Sequence, residues 1–297
     1  MVWFEEIMIN RDLLFDRMEF RIPGRGDYVR FGKHFFGAYC WASYAKNDAG
    51  DVVVVKMSSA KDPEEQDGAD YFFGNEIRIL RRAPKHKHLV RLLGTGYFCG
   101  EQFMALEPLL VDSDDLNGTV DRAVRVATSV GEAVHSLHNF GFCHRDIGLK
   151  NIRGRLDSLN MEEPVSVLMD FGFAALLDRG KTVFADEKEY TYGTPSYLPP
   201  ELFNRDYDCK GLKTYVKSIR RDVYSLGATL YELLTHNVPY TVNFKNELLY
   251  CDPIELHLRE QNPDVSPQLE KIVQRSLSTV DRRPMMDEFL AELKACV

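Results

Sequence analysis

The chain has 297 residues, 44% of them hydrophobic and 28% charged, with a formal net charge of −8. That length allows one large domain or two lobes with separate cores, and the composition belongs to a folded globular chain rather than a disordered or fibrous one. The negative balance excludes a general attraction for nucleic acid or anionic lipid, and six cysteines without a paired spacing argue against a zinc site or a disulfide framework.

In chain order, residues 1–26 read as an N-terminal extension, a short amphipathic helix followed by the Pro/Gly linker "RIPGRG". Acids and arginines interrupt it too often for a signal peptide, and no apolar run reaches the ~20 residues that span a bilayer. The expected location is therefore cytoplasmic, in the cell that makes the chain or in a host. From residue 27 to 107 strand signals dominate. "DYVRF", "AYCWASY" and "DVVVVKM" are β-branched and aromatic runs, with turn residues at "NDAGD" between the last two. One helix interrupts them: "DYFFGNEIRILRRA" places Phe72, Phe73, Ile77 and Leu80 at helical spacing. "HLVRLLGTGY" and "EQFMALEPL" resume extended patterns.

Residues 108–297 turn to helix. "TVDRAVRVATSVGEAVHSLHNFG" carries an apolar stripe from Val120 to Leu137 with Gly141 as a stop signal, and three further helical patterns follow it. A mainly β part followed by a mainly α part predicts an α+β fold of two unlike lobes, joined near residues 107–112. A cleft between lobes is a usual place for a ligand.

The densest chemistry lies in "FCHRDIGLKN", residues 142–151, just after the long apolar helix. Asp146 and Asn151 are five apart on a loop. Asp170 follows nineteen residues later, where the buried-strand pattern "VSVLMDFGFA" runs into Asp170-Phe171-Gly172. Three oxygen-bearing side chains at strand and loop ends suit Mg²⁺, which takes hard oxygen ligands and shares them with substrate phosphates.

In these motifs the chain resembles the eukaryotic-type protein kinase family over roughly residues 27–295. His144, Arg145, Asp146 and Asn151 match its H-R-D-x-x-x-x-N pattern, and Asp170 to Gly172 its D-F-G. The resemblance implies a bilobal kinase fold, ATP and Mg²⁺ (or Mn²⁺) as cofactors, and a protein substrate. It implies that Asp146 orients the substrate hydroxyl and accepts its proton, while Asn151 and Asp170 hold the metal. Lys56, closing "DVVVVKM", matches the lysine that grips the α- and β-phosphates. Glu76 in "FFGNEIRIL" matches its helix partner.

Other positions follow from the same resemblance. "FGKHFFGAY" is similar to the glycine-rich loop, with Phe31 leading in and Gly32 and Gly37 as first and third glycines; His34 replaces the middle one, and Tyr39 stands where a valine covers adenine. Val54 packs on adenine, Leu106 is the gatekeeper, and the Glu107 carbonyl and Leu109 amide are the adenine partners. Arg153, or Ile152 by a local shift, occupies the opposite adenine face. Glu201, in "YTYGTPSYLPPE", pairs with Arg283 of "DRRP", and Asp222 anchors the catalytic loop. Arg145 beside the catalytic aspartate suggests control by phosphorylation, with Thr182, Tyr190, Thr191 and Tyr192 as acceptors.

Two features bear on the hydroxyl that is modified. "GTPSY", with Thr194, is similar to the serine/threonine kinase version of the substrate segment. Gly148 stands where that group carries lysine, and Lys150 supplies a cation two residues later. Serine/threonine specificity is expected, with dual or tyrosine specificity and a weakly active pseudokinase scaffold as alternatives. The sequence leaves oligomeric state open.

Overall fold

The computed structural model describes residues 18–59, 63–157, 160–177, 192–202, 214–245, 248–253 and 257–296. The chain divides into two units, residues 1–81 with 90–108, and residues 82–89 with 109–297.

The first unit is a six-stranded antiparallel sheet with one helix. Its strands are β1 (Glu19–Ile22), β2 (Gly26–Phe36), β3 (Cys40–Lys46), β4 (Val52–Ser58), β5 (Leu92–Phe98) and β6 (Glu101–Leu106), in the spatial order β1-β2-β3-β4-β6-β5. Helix α1 (Gln66–Leu80) is packed on β4. Alternation selects the buried face: Phe20, Ile22, Tyr28, Trp41, Ala45, Val53, Val55, Phe103 and Ala105 form one core. Phe20 meets Phe98 and Phe103 at ring-centroid distances of 5.2 and 5.1 Å.

Strand β1 corrects the sequence reading, which placed residues 1–26 outside the sheet. Glu19–Ile22 pairs with Gly26–Val29, and "PGR" is the hairpin turn. Residues 1–17 lie outside the described residues. In the glycine-containing segment the chain does not turn over residues 32–36. His34, Phe35 and Phe36 instead pair with Ser43, Ala42 and Trp41, and the chain turns at residues 37–39. A bulge between Phe31 and His34 accommodates Gly32 at φ +69°. Arg30 fixes this path, its guanidinium donating to the Gly32 carbonyl (3.1 Å) and to Ser43 Oγ (3.1 Å) and lying 3.0 Å from His34 Nδ1. Tyr39 lies against Phe72 of α1, with ring centroids 5.0 Å apart.

The second unit is mainly helical. Helix α2 (Val120–Phe140) starts at Thr119, whose hydroxyl accepts the Arg122 N–H, and ends at Gly141. Strand β7 (Phe142–Cys143) leads to the hairpin β8 (Ile152–Asp157) and β9 (Asn160–Leu168), and β10 (Ala175–Leu176) pairs back on β7. Helix α3 (Thr214–Thr235) precedes the hairpin β11 (Tyr240–Lys245) and β12 (Leu248–Pro253). Helices α4 (Leu258–Gln261), α5 (Pro267–Ser276) and α6 (Met286–Lys294) close the chain. Among the described residues no helix is long and apolar enough to cross a membrane. Residues 82–89, expected with the first lobe, belong to this unit: Leu89 bridges to Leu168, and the His88 carbonyl accepts the Leu168 N–H at 2.9 Å.

Candidate active site

In the first unit, strand pairing aims Lys56 at α1. Residue 56 lies between Ala42 and Met104 in the sheet. Its ammonium meets Glu76 Oε2 at 2.6 Å, with both side chains over 90% buried. A buried ion pair of this kind holds only if both partners stay. Leu106 is buried and pairs with Val54 and Leu92. The Glu107 carboxylate turns inward, accepting the Arg91 N–H (3.0 Å) and Arg91 Nε (2.7 Å). Leu109 is buried in the second unit.

The second unit organises the loop after β7 around Asp146. Asp146 Oδ1 accepts both the N–H (2.7 Å) and the hydroxyl (2.8 Å) of Thr194. Its Oδ2 accepts Asn151 Nδ2 at 2.8 Å, and Lys150 Nζ stands 3.6 Å from the same oxygen. Asn151 Nδ2 also donates to the Asp146 carbonyl, at 2.8 Å. Both amide hydrogens are thus used, which turns Oδ1 of Asn151 the other way. The Met169 N–H donates to the Asn151 carbonyl at 2.9 Å, which ties the residue before Asp170 to Asn151. One amide oxygen and one carboxylate fit Mg²⁺, which leaves its remaining positions to water and phosphate. Among the described residues no cluster of three His, Cys, Asp or Glu could hold a metal by itself.

Two non-glycine residues of this loop system hold left-handed backbone, Arg145 at φ +71° and Asp170 at φ +64°. Such conformations persist only where surrounding bonds over-determine them, as at functional sites. Asp222 supplies several of those bonds. It is fully buried on α3, and its carboxylate accepts the N–H of His144 (2.9 Å), the N–H of Arg145 (2.8 Å) and His138 Nε2 (2.9 Å). Burial pulls its pKa up, but the His138 bond and the neighbouring histidines outweigh that and hold it below the usual carboxylate range. Burial lowers the pKa of His144, whose ring stands edge-on to Phe171 at 4.9 Å and whose Nε2 meets the Met169 carbonyl at 3.2 Å.

Gly148 is closely covered by an aromatic ring. A Cβ on Gly148 would stand 2.7 Å from two ring carbons of Tyr197, closer than packed atoms come. Tyr197 is itself fixed, its hydroxyl donating to Glu232 at 2.5 Å and its carbonyl accepting Ser225 Oγ at 2.8 Å. Arg153 does not stand alone, because its guanidinium is bonded to Asp112, while Ile152 is fully buried.

Glu201 and Arg283 form a two-bond pair, NH1 to Oε1 at 2.8 Å and NH2 to Oε2 at 3.2 Å. Arg283 has no exposed surface, and its guanidinium lies over the Tyr224 ring at 4.7 Å. Arg283→Met is expected to strand the Glu201 carboxylate and cost about 3–5 kcal/mol. Urea denaturation checks this, and adding Glu201→Leu to Arg283→Met should recover most of the loss.

Thr182, Tyr190 and Thr191 lie outside the described residues. Tyr192 is described, and its ring stacks on Phe173 with centroids 5.6 Å apart. The sequence reading gave no role to His138, to Arg221, or to Tyr197, although Tyr197 closes the quoted motif "GTPSY".

The protein kinase domain family matches residues 36–292. The chain belongs to that family. Among its relatives, a probable myosin light chain kinase of Dictyostelium discoideum is 27% identical over 235 residues, 76% of this chain and 52% of that protein. The DNA damage-responsive serine/threonine-protein kinase RqkA of Deinococcus radiodurans is 30% identical over 237 residues, covering 75% and 32%. The serine/threonine-protein kinase pkn3 of Myxococcus xanthus is 29% identical over 239 residues, covering 75% and 41%. The chain thus spans about half or less of the length of these relatives. The family generally uses ATP and Mg²⁺ and acts on protein substrates.

Proposed function

We propose that the chain transfers the γ-phosphoryl group of Mg-ATP to serine and threonine hydroxyls of protein substrates. Lys56, held by Glu76, grips the α- and β-phosphates, and Asn151 and Asp170 hold Mg²⁺ on the nucleotide. The substrate oxygen forms a bond to the γ-phosphorus as the bond to the ADP oxygen breaks, and the hydroxyl proton passes to Asp146. Lys150 neutralises charge on the transferring group from two residues beyond the position Tyr197 closes.

The observation that carries this reading is the Asp146 carboxylate, gripped on one oxygen by Thr194 and on the other by Asn151. Those bonds fix its rotamer, and a fixed base is what positioning a hydroxyl requires. The hydroxyl donor at 194 also supports serine/threonine specificity, as do the names of the Deinococcus and Myxococcus relatives. A panel of peptides offering serine, threonine or tyrosine acceptors tests the reading. Label is expected on serine and threonine, and predominant phosphotyrosine would overturn it. In the same assay Lys150→Ala should lower kcat more than ATP affinity; a pure affinity loss would contradict its role.

A second reading, a scaffold that binds nucleotide without turnover, is favoured by one observation. Residues 32–36 run on as strand instead of turning to present backbone N–H groups. It predicts a measurable nucleotide Kd with no label on any peptide.

A further inference from the structure

Arg221 immediately precedes the loop-anchoring Asp222 on helix α3 and is just as deeply placed, with 4% of its surface exposed. Its NH2 group donates to the Arg145 carbonyl at 2.8 Å and to the Tyr192 carbonyl. One guanidinium therefore ties the residue before the candidate base to the segment that delivers Thr194. Gly193, between the two bonded stretches, records how close they come. It sits at φ +130°, and a Cβ there would stand 2.9 Å from the Arg145 carbonyl oxygen and 3.2 Å from Arg221 NH2.

We propose that Arg221 is a positioning residue for phosphoryl transfer, setting the register of Thr194 on Asp146 by joining the carbonyls of Arg145 and Tyr192. This rests on the roles given above to Asp146 and Thr194. Consecutive residues divide the work by chemistry. Asp222 accepts the N–H groups of His144 and Arg145, and Arg221 donates to the carbonyl of Arg145. A carboxylate alone cannot hold a carbonyl, so the loop needs both signs beneath it. Keeping a cation there is costly: burial first, and the charge of Arg145 second, push the Arg221 pKa down to about 10. Surface packing would not require such an arrangement. An apolar side chain would fill the space without the desolvation cost, but it would leave both carbonyls without this donor.

The test compares wild type, Arg221→Ala and Arg221→Lys in the full chain, by steady-state kinetics, thermal melting and amide hydrogen exchange. In Arg221→Ala, kcat for a peptide substrate should fall roughly 10- to 100-fold, the cost of a small misplacement, with KM for ATP unchanged. The Thr194 amide should exchange faster, while the His144 amide, held by Asp222, should not. Arg221→Lys, or millimolar guanidinium added to Arg221→Ala, should restore part of the rate. Should Arg221→Ala fail to fold, Arg221→Lys carries the same comparison at smaller amplitude. Folded variants with wild-type kcat and an unchanged Thr194 amide would overturn the proposal, as would a rate loss that neither lysine nor guanidinium relieves. If wild type itself transfers nothing, the kinase reading fails, and the exchange data still decide whether Arg221 sets Thr194.

Discussion

Asp146→Asn is expected to lower turnover roughly a hundredfold to ten-thousandfold, the range that loss of a positioned general base produces. Asparagine has nearly the same size, so the change isolates charge and hydrogen-bond polarity. The carboxylate accepts from Thr194 on one oxygen and from Asn151 on the other. An asparagine has only one acceptor oxygen, so its NH2 must face a donor on one side. That mismatch is expected to cost about 1–3 kcal/mol, visible as a modest loss in thermal melting. The kinetic loss should be much larger than the stability loss explains. Equal turnover in Asp146→Asn and wild type would remove this residue from the chemistry.

Lys56→Met is expected to abolish transfer and to destabilise the first unit as well. It takes from Glu76 the ammonium 2.6 Å away, and the Glu76 side chain is only 2% exposed. Breaking a buried pair by removing one partner costs about 3–5 kcal/mol. Lys56→Met combined with Glu76→Gln removes the uncompensated charge and should recover most of that stability, while activity stays absent. Denaturant melts of the single and double variants, set beside their activities, separate the structural cost of the broken pair from the loss of the phosphate-gripping cation. Activity surviving in the stable double variant would show that Lys56 serves the fold alone.

Much of the site could be read before any coordinates, because its residues sit at fixed offsets on short loops. His144 to Asn151 spans one turn and loop, and the hydrogen bonds within it are between near neighbours. What escaped was set by pairing and packing rather than by residue spacing. Strand β1 has only two inward apolar residues, Phe20 and Ile22, alternating with exposed Glu19 and Arg21. That pattern is too short to register as a period, and the strand exists because β2 completes it. Strand β8, "IRGRLD", hides behind its charges: Arg153 turns to Asp112 and Arg155 to the Lys87 carbonyl, so the polar residues that interrupt an apolar strand pattern are held by partners elsewhere in the unit. The Gly148 substitution was legible as a departure, but the ring that covers it was not. Tyr197 is 49 residues away, and only the fold brings its ring to the place a side chain at 148 would need. Arg221 escaped for a related reason, since a doubled arginine ahead of an aspartate reads as an exposed helix face until burial shows otherwise.

The function proposed for Asp146 and the groups around it is to move a phosphoryl group from Mg-ATP to a protein hydroxyl. Single-turnover transfer from γ-labelled ATP to a serine- or threonine-containing substrate, with and without Mg²⁺, measures that step itself. Label is expected only with the metal, stable as phosphoserine or phosphothreonine, and lost in Asp146→Asn. Bound nucleotide that is never turned over, or label that forms equally well in the Asp146→Asn variant, would contradict it.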